Sequence, residues 1–131
     1  MTDERILAEI LMEEELGIYD EEGVSGNIFI GETPINLQNE IDLTIRKTGG
    51  SRVIRKLTGA KNSYLTIYAK GNNYELVSEK LETIGSILLN KAYNIDKYFI
   101  ENVFVFSEPQ WILTDDNGTY LFDMTLTLTI I

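Results

Sequence analysis

Two short runs of acidic residues are the first candidates for chemistry in this sequence. Glu13-Glu14-Glu15 and Asp20-Glu21-Glu22 could supply the paired carboxylates that general acid and base catalysis uses. Successive positions on a helix point in different directions, however, and the 131-residue chain has no histidine and no cysteine. It therefore lacks the commonest general base, the commonest metal ligand and a thiol nucleophile. We predict no catalytic residues and interpret the protein as a non-enzyme.

Two glycine-containing turns could hold an ion. Asp115-Asp116-Asn117-Gly118 offers oxygen ligands for calcium, but it lacks the distal glutamate and the spacing of an EF-hand loop. Gly49-Gly50-Ser51 could surround an anion, but the Walker spacing and its Lys-Ser/Thr pair are missing. A hairpin turn explains the first sequence and loop flexibility explains the second. We predict neither a metal site nor a cofactor.

The division of charge along the chain is more informative. No Asp or Glu lies between Leu43 and Tyr74, yet seven of the eleven basic residues lie there. The rest of the chain carries all twenty-one acids and four bases, and the net charge is −10 at pH 7. Such a chain is suited to contact with a copy of itself or with a partner of complementary potential. Six basic residues are the predicted assembly interface: Arg46, Lys47, Arg52, Arg55, Lys56 and Lys61.

Apolar residues are interleaved with these bases. Val53, Ile54 and Leu57 would be exposed in a merely solvated loop, and burial against another chain would cover them. A loop that folds back over its own sheet is the alternative. DNA contact by this segment also stays open, although a sequence pI near 4.4 argues against general nucleic-acid binding.

Length and composition fit one domain over residues 1–131, with 44% hydrophobic residues. The N-terminus has acids in place of a basic segment and an apolar run. No stretch approaches the roughly 18 apolar residues of a membrane span. We therefore expect a protein that is cytosolic when made and has no membrane partner.

Two amphipathic helices are predicted. Apolar residues recur at helical spacing over residues 3–16, with Thr2 or Asp3 as the N-cap and Gly17 at the position of a left-handed C-terminal cap. A second apolar stripe predicts a helix over about residues 73–91. Asn72, followed three residues later by a glutamate, resembles a capping box at its start.

Alternating and β-branched segments predict the strands. They lie at residues 27–30, 41–48, 63–69, 98–106, 111–114 and 119–131. The last strand is long, and at a sheet edge it would be a template for pairing with another chain. We predict an α+β domain with a single mixed, mostly antiparallel sheet of four to six strands. Both amphipathic helices would pack on one face and leave a threonine-rich polar face.

The order of these elements resembles a known family. The resemblance rests on the first helix, on Asn27-Ile28-Phe29-Ile30-Gly31-Glu32-Thr33-Pro34, on a strand ending in Lys47-Thr48-Gly49-Gly50, on a strand that runs into a helix over residues 64–90, and on the closing β-rich pair. Over residues 6–129 the chain resembles the tail terminator or minor capsid proteins of long-tailed bacteriophages. These tail-completion proteins include small head-tail joining proteins of the neck.

The resemblance implies a structural protein of virion assembly. Such a subunit forms a hexameric ring on the end of the tail tube, stops further polymerisation and presents a surface to the head completion or connector protein. DNA would pass through the ring without being read. The six basic residues would then line the interface with an acidic neighbour or face the lumen and the tube. The protein would reside in the virion tail or neck, and in the bacterial host cytoplasm during assembly.

One alternative function comes from another class. A small non-enzymatic module for regulation could use the polar sheet face to bind a ligand or a peptide. It would have a defined pocket and would be a monomer or a dimer.

Overall fold

The structure is a computed structural model that describes residues 1–48 and 60–131, together with the backbone of residues 52–53. Within these ranges the chain forms two helices and eight strands. In chain order they are α1 (Asp3–Glu13), β1 (Ile28–Ile30), β2 (Ile41–Lys47), β3 (Arg52–Val53), β4 (Lys61–Gly71), α2 (Tyr74–Leu88), β5 (Tyr93–Ile95), β6 (Tyr98–Val105), β7 (Gln110–Thr114) and β8 (Tyr120–Ile130).

All of these strands form one sheet. Neighbouring strands follow the order β1-β2-β4-β8-β6-β5, while β3 pairs with the start of β4 and β7 pairs with the start of β8. β1 pairs with β2 in parallel, and the remaining pairs are antiparallel. The predicted class, α+β with a mixed and mostly antiparallel sheet, is confirmed.

The sheet has more strands than the four to six expected, because β3 and β5 were not predicted. β5 has three residues and turns directly into β6 through Asp96 and Lys97, with Ile95 paired opposite Tyr98. Asp96 supplies the left-handed backbone of this tight turn, at φ 53°. Three residues are too few to show an alternating pattern, so the sequence alone gave no signal of this strand.

β8 lies inside the sheet and is not an edge strand. It pairs with β4 on one side, and on the other side with β6 and then β7. Its backbone groups are therefore used within the chain, so β8 offers no template for pairing with another chain. Within the described residues β7 is an edge strand instead, because β8 is its one neighbour.

Both helices pack on the same face of the sheet, as predicted. α1 contacts β2 and β5, whereas α2 contacts β4 and β8. Since β2 and β5 lie towards opposite ends of the strand order, the sheet curls around the helices. The apolar stripes and the sheet share one core, and burying each large side chain contributes roughly 1.5–3 kcal/mol. Its fully buried members include Ile6, Leu7, Ile10, Leu11, Leu43, Ile45, Leu65, Ile67, Leu81, Ile84 and Leu88.

α1 begins as expected and ends earlier than expected. The Thr2 side chain accepts a hydrogen bond from the Arg5 N–H and caps the start. The helix ends at Glu13, and Glu15, not Gly17, takes the left-handed conformation, at φ 59°. A hydrogen bond from Leu16 N–H to the Leu11 carbonyl (2.8 Å) closes this end and places Leu16 in the core.

Gly17 serves close packing and not helix capping. A Cβ atom at this position would lie 2.8 Å from Cδ1 of Ile28 in β1. The glycine therefore lets the chain after α1 pass directly over the sheet edge. The predicted C-terminal cap at Gly17 is therefore wrong. The helix ends at Glu13, and the Leu16 side chain leaves the helix to be buried in the core.

α2 is capped by Asn73 and not by Asn72. The Asn73 side chain accepts a hydrogen bond from Leu76 N–H at 3.2 Å. The helix stops at Leu88, where Asn90 turns left-handed (φ 60°) and its N–H bonds the Val103 carbonyl at 2.9 Å. No helix within the described ranges is long and apolar enough to cross a membrane.

The position of this cap can be tested by mutation. We expect Asn73→Ala to lower the free energy of unfolding by about 1 kcal/mol, because an N–H group at the start of α2 loses its acceptor. Asn72→Ala is the matched control and should cost less, since Asn72 contacts Thr119 only through a long 3.4 Å hydrogen bond. Urea denaturation measures both, and a larger loss in Asn72→Ala would contradict the assignment.

Candidate assembly interface

The outward surface of the two helices is acidic. Arg5 and Lys80 are the basic residues of α1 and α2. Arg5 is already paired, because its guanidinium binds Glu9 (2.8 Å) and Glu21. Burial lowers the pKa of Lys80. The helical glutamates that are exposed or half-buried are Glu4, Glu9, Glu13, Glu75, Glu79 and Glu82. We call this surface the acidic helix face.

The structure describes the side chains of three of the six predicted interface residues. Arg46 is exposed on the helix-free face of the sheet, opposite Thr66 in the β2–β4 ladder. Lys47 and Lys61 lie on the face that carries the helices, and both ammonium groups approach Asp3. The side chains of the other three lie outside the described residues: Arg52, Arg55 and Lys56.

One carboxylate holds both lysines. Asp3 is buried at the start of α1, and its Oδ1 accepts a hydrogen bond from Lys61 Nζ at 2.9 Å. Its Oδ2 accepts one from Ser63 Oγ at 2.7 Å and lies 3.1 Å from Lys47 Nζ. We call these four residues the Asp3 clamp. Because Lys47 ends β2 and Lys61 begins β4, the clamp ties both ends of the basic segment, residues 46–61, to α1.

The clamp changes the acidity of its carboxyl group. Burial alone would raise the pKa of Asp3, but hydrogen bonds from Lys61, Ser63 and Lys47 outweigh it and lower the pKa to about 2. The carboxylate is therefore charged at neutral pH and satisfies two ammonium groups at once. A carboxylate in this state stabilises the folded chain through ionic hydrogen bonds.

Asp115 and Asp20, which belong to two of the segments considered as chemical sites, accept hydrogen bonds from the backbone. Asp115 accepts hydrogen bonds from Thr119 N–H (2.9 Å) and Asn117 N–H (3.0 Å), and these bonds lower its pKa. Asp20 accepts bonds from Ser25 N–H and Glu22 N–H, with the same effect on its pKa. No cluster of three or more Asp or Glu side chains suited to a metal ion occurs in residues 1–48 or 60–131.

The helix-free face of the sheet is polar at its centre, as predicted. Thr66 Oγ1 lies 3.1 Å from Thr48 Oγ1 and 3.2 Å from Thr125 Oγ1. At the end of the same strands, Thr129 donates to the Asn62 side chain at 2.9 Å. These hydroxyl groups bond one another, whereas the buried hydroxyls of Thr44 and Thr127 on the same face have no hydrogen-bond partner within the described residues.

Aromatic side chains occupy one side of this face. This cluster was not predicted. Tyr64 stacks on Phe106 with ring centroids 5.7 Å apart, and Phe104 meets Phe106 edge-on at 5.0 Å. Phe104 and Phe106 remain 48% and 53% exposed. We call these three residues the aromatic cluster. The sequence signal was present, because both phenylalanines lie on the outward side of a strand whose inward side is Val103 and Val105.

Comparison with models of protein families shows to which family the chain belongs. The sequence model described as "Bacteriophage tail terminator protein" matches residues 13–130, which is nearly the whole chain. The chain belongs to the bacteriophage tail terminator family. The matched residues include all of α2 and every strand of the sheet, but only the last residue of α1, Glu13. This tail terminator is a structural protein of the phage virion, the first of the function classes that the sequence left open.

A solved structure shares the fold of this tail terminator. A chain of the "Virion of native gene transfer agent (GTA) particle" aligns with a TM-score of 0.59 and 6% sequence identity, over 79% of this chain and 78% of that chain. At this identity the likeness concerns the fold alone. No curated protein sequence matches the chain.

The tail terminator also exposes an apolar edge strand. Trp111, Ile112 and Leu113 in β7 are 52%, 39% and 44% exposed. β7 pairs with β8 on one side, so its other side presents backbone groups as well as apolar side chains. An exposed apolar edge promotes aggregation of a free monomer, whereas in a protein that assembles it is a surface for contact with a partner.

The stability of the Asp3 clamp can be measured directly. Asp3→Asn keeps the size of the side chain and removes its charge. We expect the free energy of unfolding at pH 7 to fall by about 2 kcal/mol, because each unit of lowered pKa is worth about 1.4 kcal/mol. Glu4→Gln is the matched control in the same turn, and it should change stability by less than about 0.5 kcal/mol. Urea denaturation of the two variants provides the comparison.

The same pair of proteins yields a dependence on pH. The pKa of Asp3 is lowered from 3.8 to about 2 in the folded chain, so its contribution is complete above about pH 5 and is lost as the pH falls towards 2. The stability difference between wild type and Asp3→Asn should shrink over that window. A difference that is unchanged between about pH 6 and pH 2 would show that the charge of Asp3 contributes nothing.

Proposed function

We propose that this tail terminator forms a hexameric ring that caps the tail tube and joins it to the head completion or connector protein. The ring stops polymerisation of the tail tube protein and lets DNA pass through its centre without reading the sequence. The observation that carries the proposal is the division of charge: the acidic helix face lies on α1 and α2, whereas the basic segment contains six bases and no acid. Two unlike surfaces on one subunit allow the same contact to be repeated around a closed ring.

Electrostatics support head-to-tail closure. The acidic helix face carries six outward glutamates. The basic segment, residues 46–61, carries six bases and no acid. Between neighbouring subunits these surfaces attract, and between identical surfaces they repel. The arrangement therefore favours a contact between unlike patches over a symmetric dimer. The basic side chains contact a neighbouring subunit, the tube or the lumen.

Apolar exposure supports burial in an assembly. The aromatic cluster and β7 together leave five large apolar side chains at least 39% exposed: Phe104, Phe106, Trp111, Ile112 and Leu113. At roughly 25 cal/mol per Å² of apolar surface, covering such side chains contributes favourably to association. Contacts with the tail tube or with a second subunit would cover them.

Charge reversal in the basic segment tests the proposal. We expect Arg55→Glu/Lys56→Glu to fold with wild-type stability, since loop charges contribute little to the free energy of unfolding. Assembly should be lost because the segment would then repel its acidic partner. The measurement is tail length in complementation of a phage that lacks the protein, with circular dichroism to verify folding.

Lys91→Glu/Lys97→Glu is the control, because it changes the net charge by the same amount at two exposed lysines outside the segment; the surface ion pair of Lys91 with Glu14 (3.1 Å) contributes little to stability. This variant should complement nearly as well as wild type. Tails of normal length from the Arg55→Glu/Lys56→Glu variant would refute a role of the basic segment in capping the tube.

A further inference from the structure

A groove runs between the second half of α2 and the connection from β6 to β7. Met124 of β8 and Gly85 of α2 form its floor, and Leu89 and Val105 form its walls. Glu82 and Glu108 lie at its rim. We call these six residues the α2 groove. It lies away from the Asp3 clamp, and none of its residues belongs to the predicted interface.

Gly85 keeps the floor of the groove open. A Cβ atom on this residue would lie 3.2 Å from Met124 Sδ and 3.7 Å from Val105 Cγ1. α2 can therefore approach the sheet closely at this point, and no side chain fills the space above Met124. Leu89 is left 43% exposed on one side, and Val105 is half-buried on the other. The groove thus presents apolar surface that the chain itself leaves uncovered within its described residues.

The charge of the groove has one sign. Glu82 on α2 and Glu108 in the β6–β7 connection are both exposed, and among the described residues no lysine or arginine lines the groove. An occupant that combined apolar side chains with positive charges would satisfy both properties. A purely acidic or purely polar segment would not.

We propose that the α2 groove receives the basic segment of a neighbouring copy, an inference that rests on the proposed ring. The segment contains Arg52-Val53-Ile54-Arg55-Lys56-Leu57, in which bases and apolar residues are interleaved. Its apolar side chains pack against Leu89 and Val105, and its bases lie beside Glu82 and Glu108. Occupation of the groove gives the ring its head-to-tail contact.

The end of the basic segment and the α2 groove are well separated on one subunit. Lys61, at the end of the basic segment, pairs with Ile130 in β8, whereas the floor of the groove is Met124. Six residues along a strand span roughly 20 Å. Because Lys61 is bound to Asp3, this end of the basic segment is held away from the groove of its own subunit. This separation is what a repeated contact between neighbours requires.

Cross-linking between copies of different size tests the proposal. The chain contains no cysteine, so introduced thiols are unique. Ser86→Cys places a thiol at the exposed groove wall, and Thr58→Cys places one in the basic segment of a longer, tagged copy. The two proteins are mixed with purified tail tubes and treated with a short bis-maleimide. We expect a cross-linked product whose mass is the sum of one tagged and one untagged copy.

Asn117→Cys, in the exposed turn between β7 and β8, replaces Ser86→Cys as the control and should yield little of this product. If capped tubes form but Ser86→Cys gives no more product than the control, the proposal is wrong and the proposed function stands. If a chain carrying both Ser86→Cys and Thr58→Cys cross-links within itself, the segment occupies its own groove and the proposal is also wrong. If wild-type protein neither caps tubes nor forms rings, both are overturned.

A charge exchange provides a second readout. Glu82→Lys/Glu108→Lys should weaken assembly at least about tenfold, because like charges then face each other across the contact. Adding Arg55→Glu/Lys56→Glu to the same chain restores opposite charges and should recover assembly. Sedimentation with tail tubes measures both. A combined variant that assembles no better than either parent would contradict the proposed pairing.

Discussion

The register of the β4–β8 ladder is the constraint on which the rest of the structure depends. Eleven residue pairs join the two strands, from Lys61 opposite Ile130 to Gly71 opposite Tyr120. Because side chains alternate between the faces of a sheet, a slip of one residue would transfer every inward side chain to the other face. The register therefore determines that Leu65, Ile67, Met124 and Leu126 meet the helices, and that the threonines and the aromatic cluster meet the outside.

The same register places charges at one end of the core face. Lys61 and Ser63 occupy inward positions of β4, where a continuation of the apolar pattern would have placed two further hydrophobic residues. A buried carboxylate from α1 satisfies them, and Lys47 completes the group. Removing one partner from such a group costs more than the group contributes as a whole. The end of the core thus doubles as the anchor of the segment for which we propose a role in assembly.

The sequence was sufficient for the elements with long periodic patterns. Both helices, the long strands and the β7–β8 hairpin follow from spacing and turn residues. Short-range signals were less reliable. Asn73 competes with Asn72 for the cap, and Leu16 leaves the helix because burial outweighs another helical turn.

Only part of the candidate interface could be predicted from the sequence. Charge along the chain indicated the basic segment, but it could not show that Lys47 and Lys61 turn inwards to Asp3, which is 58 residues from Lys61 in sequence. Partnerships of this kind depend on the tertiary fold and leave no local pattern. The aromatic cluster was hidden for a similar reason, since Tyr64 and Phe106 become neighbours only when β6 and β4 flank β8.

Mass in solution shows whether a ring closes through unlike charged surfaces. Light scattering at high and low protein concentration, with and without tail tubes and at two salt concentrations, reports the number of subunits. We predict a species of six subunits, free or bound to tubes, that dissociates as salt screens the contact over a Debye length of about 10 Å or less. A monomer or dimer under every condition, including in the presence of tubes, would contradict it.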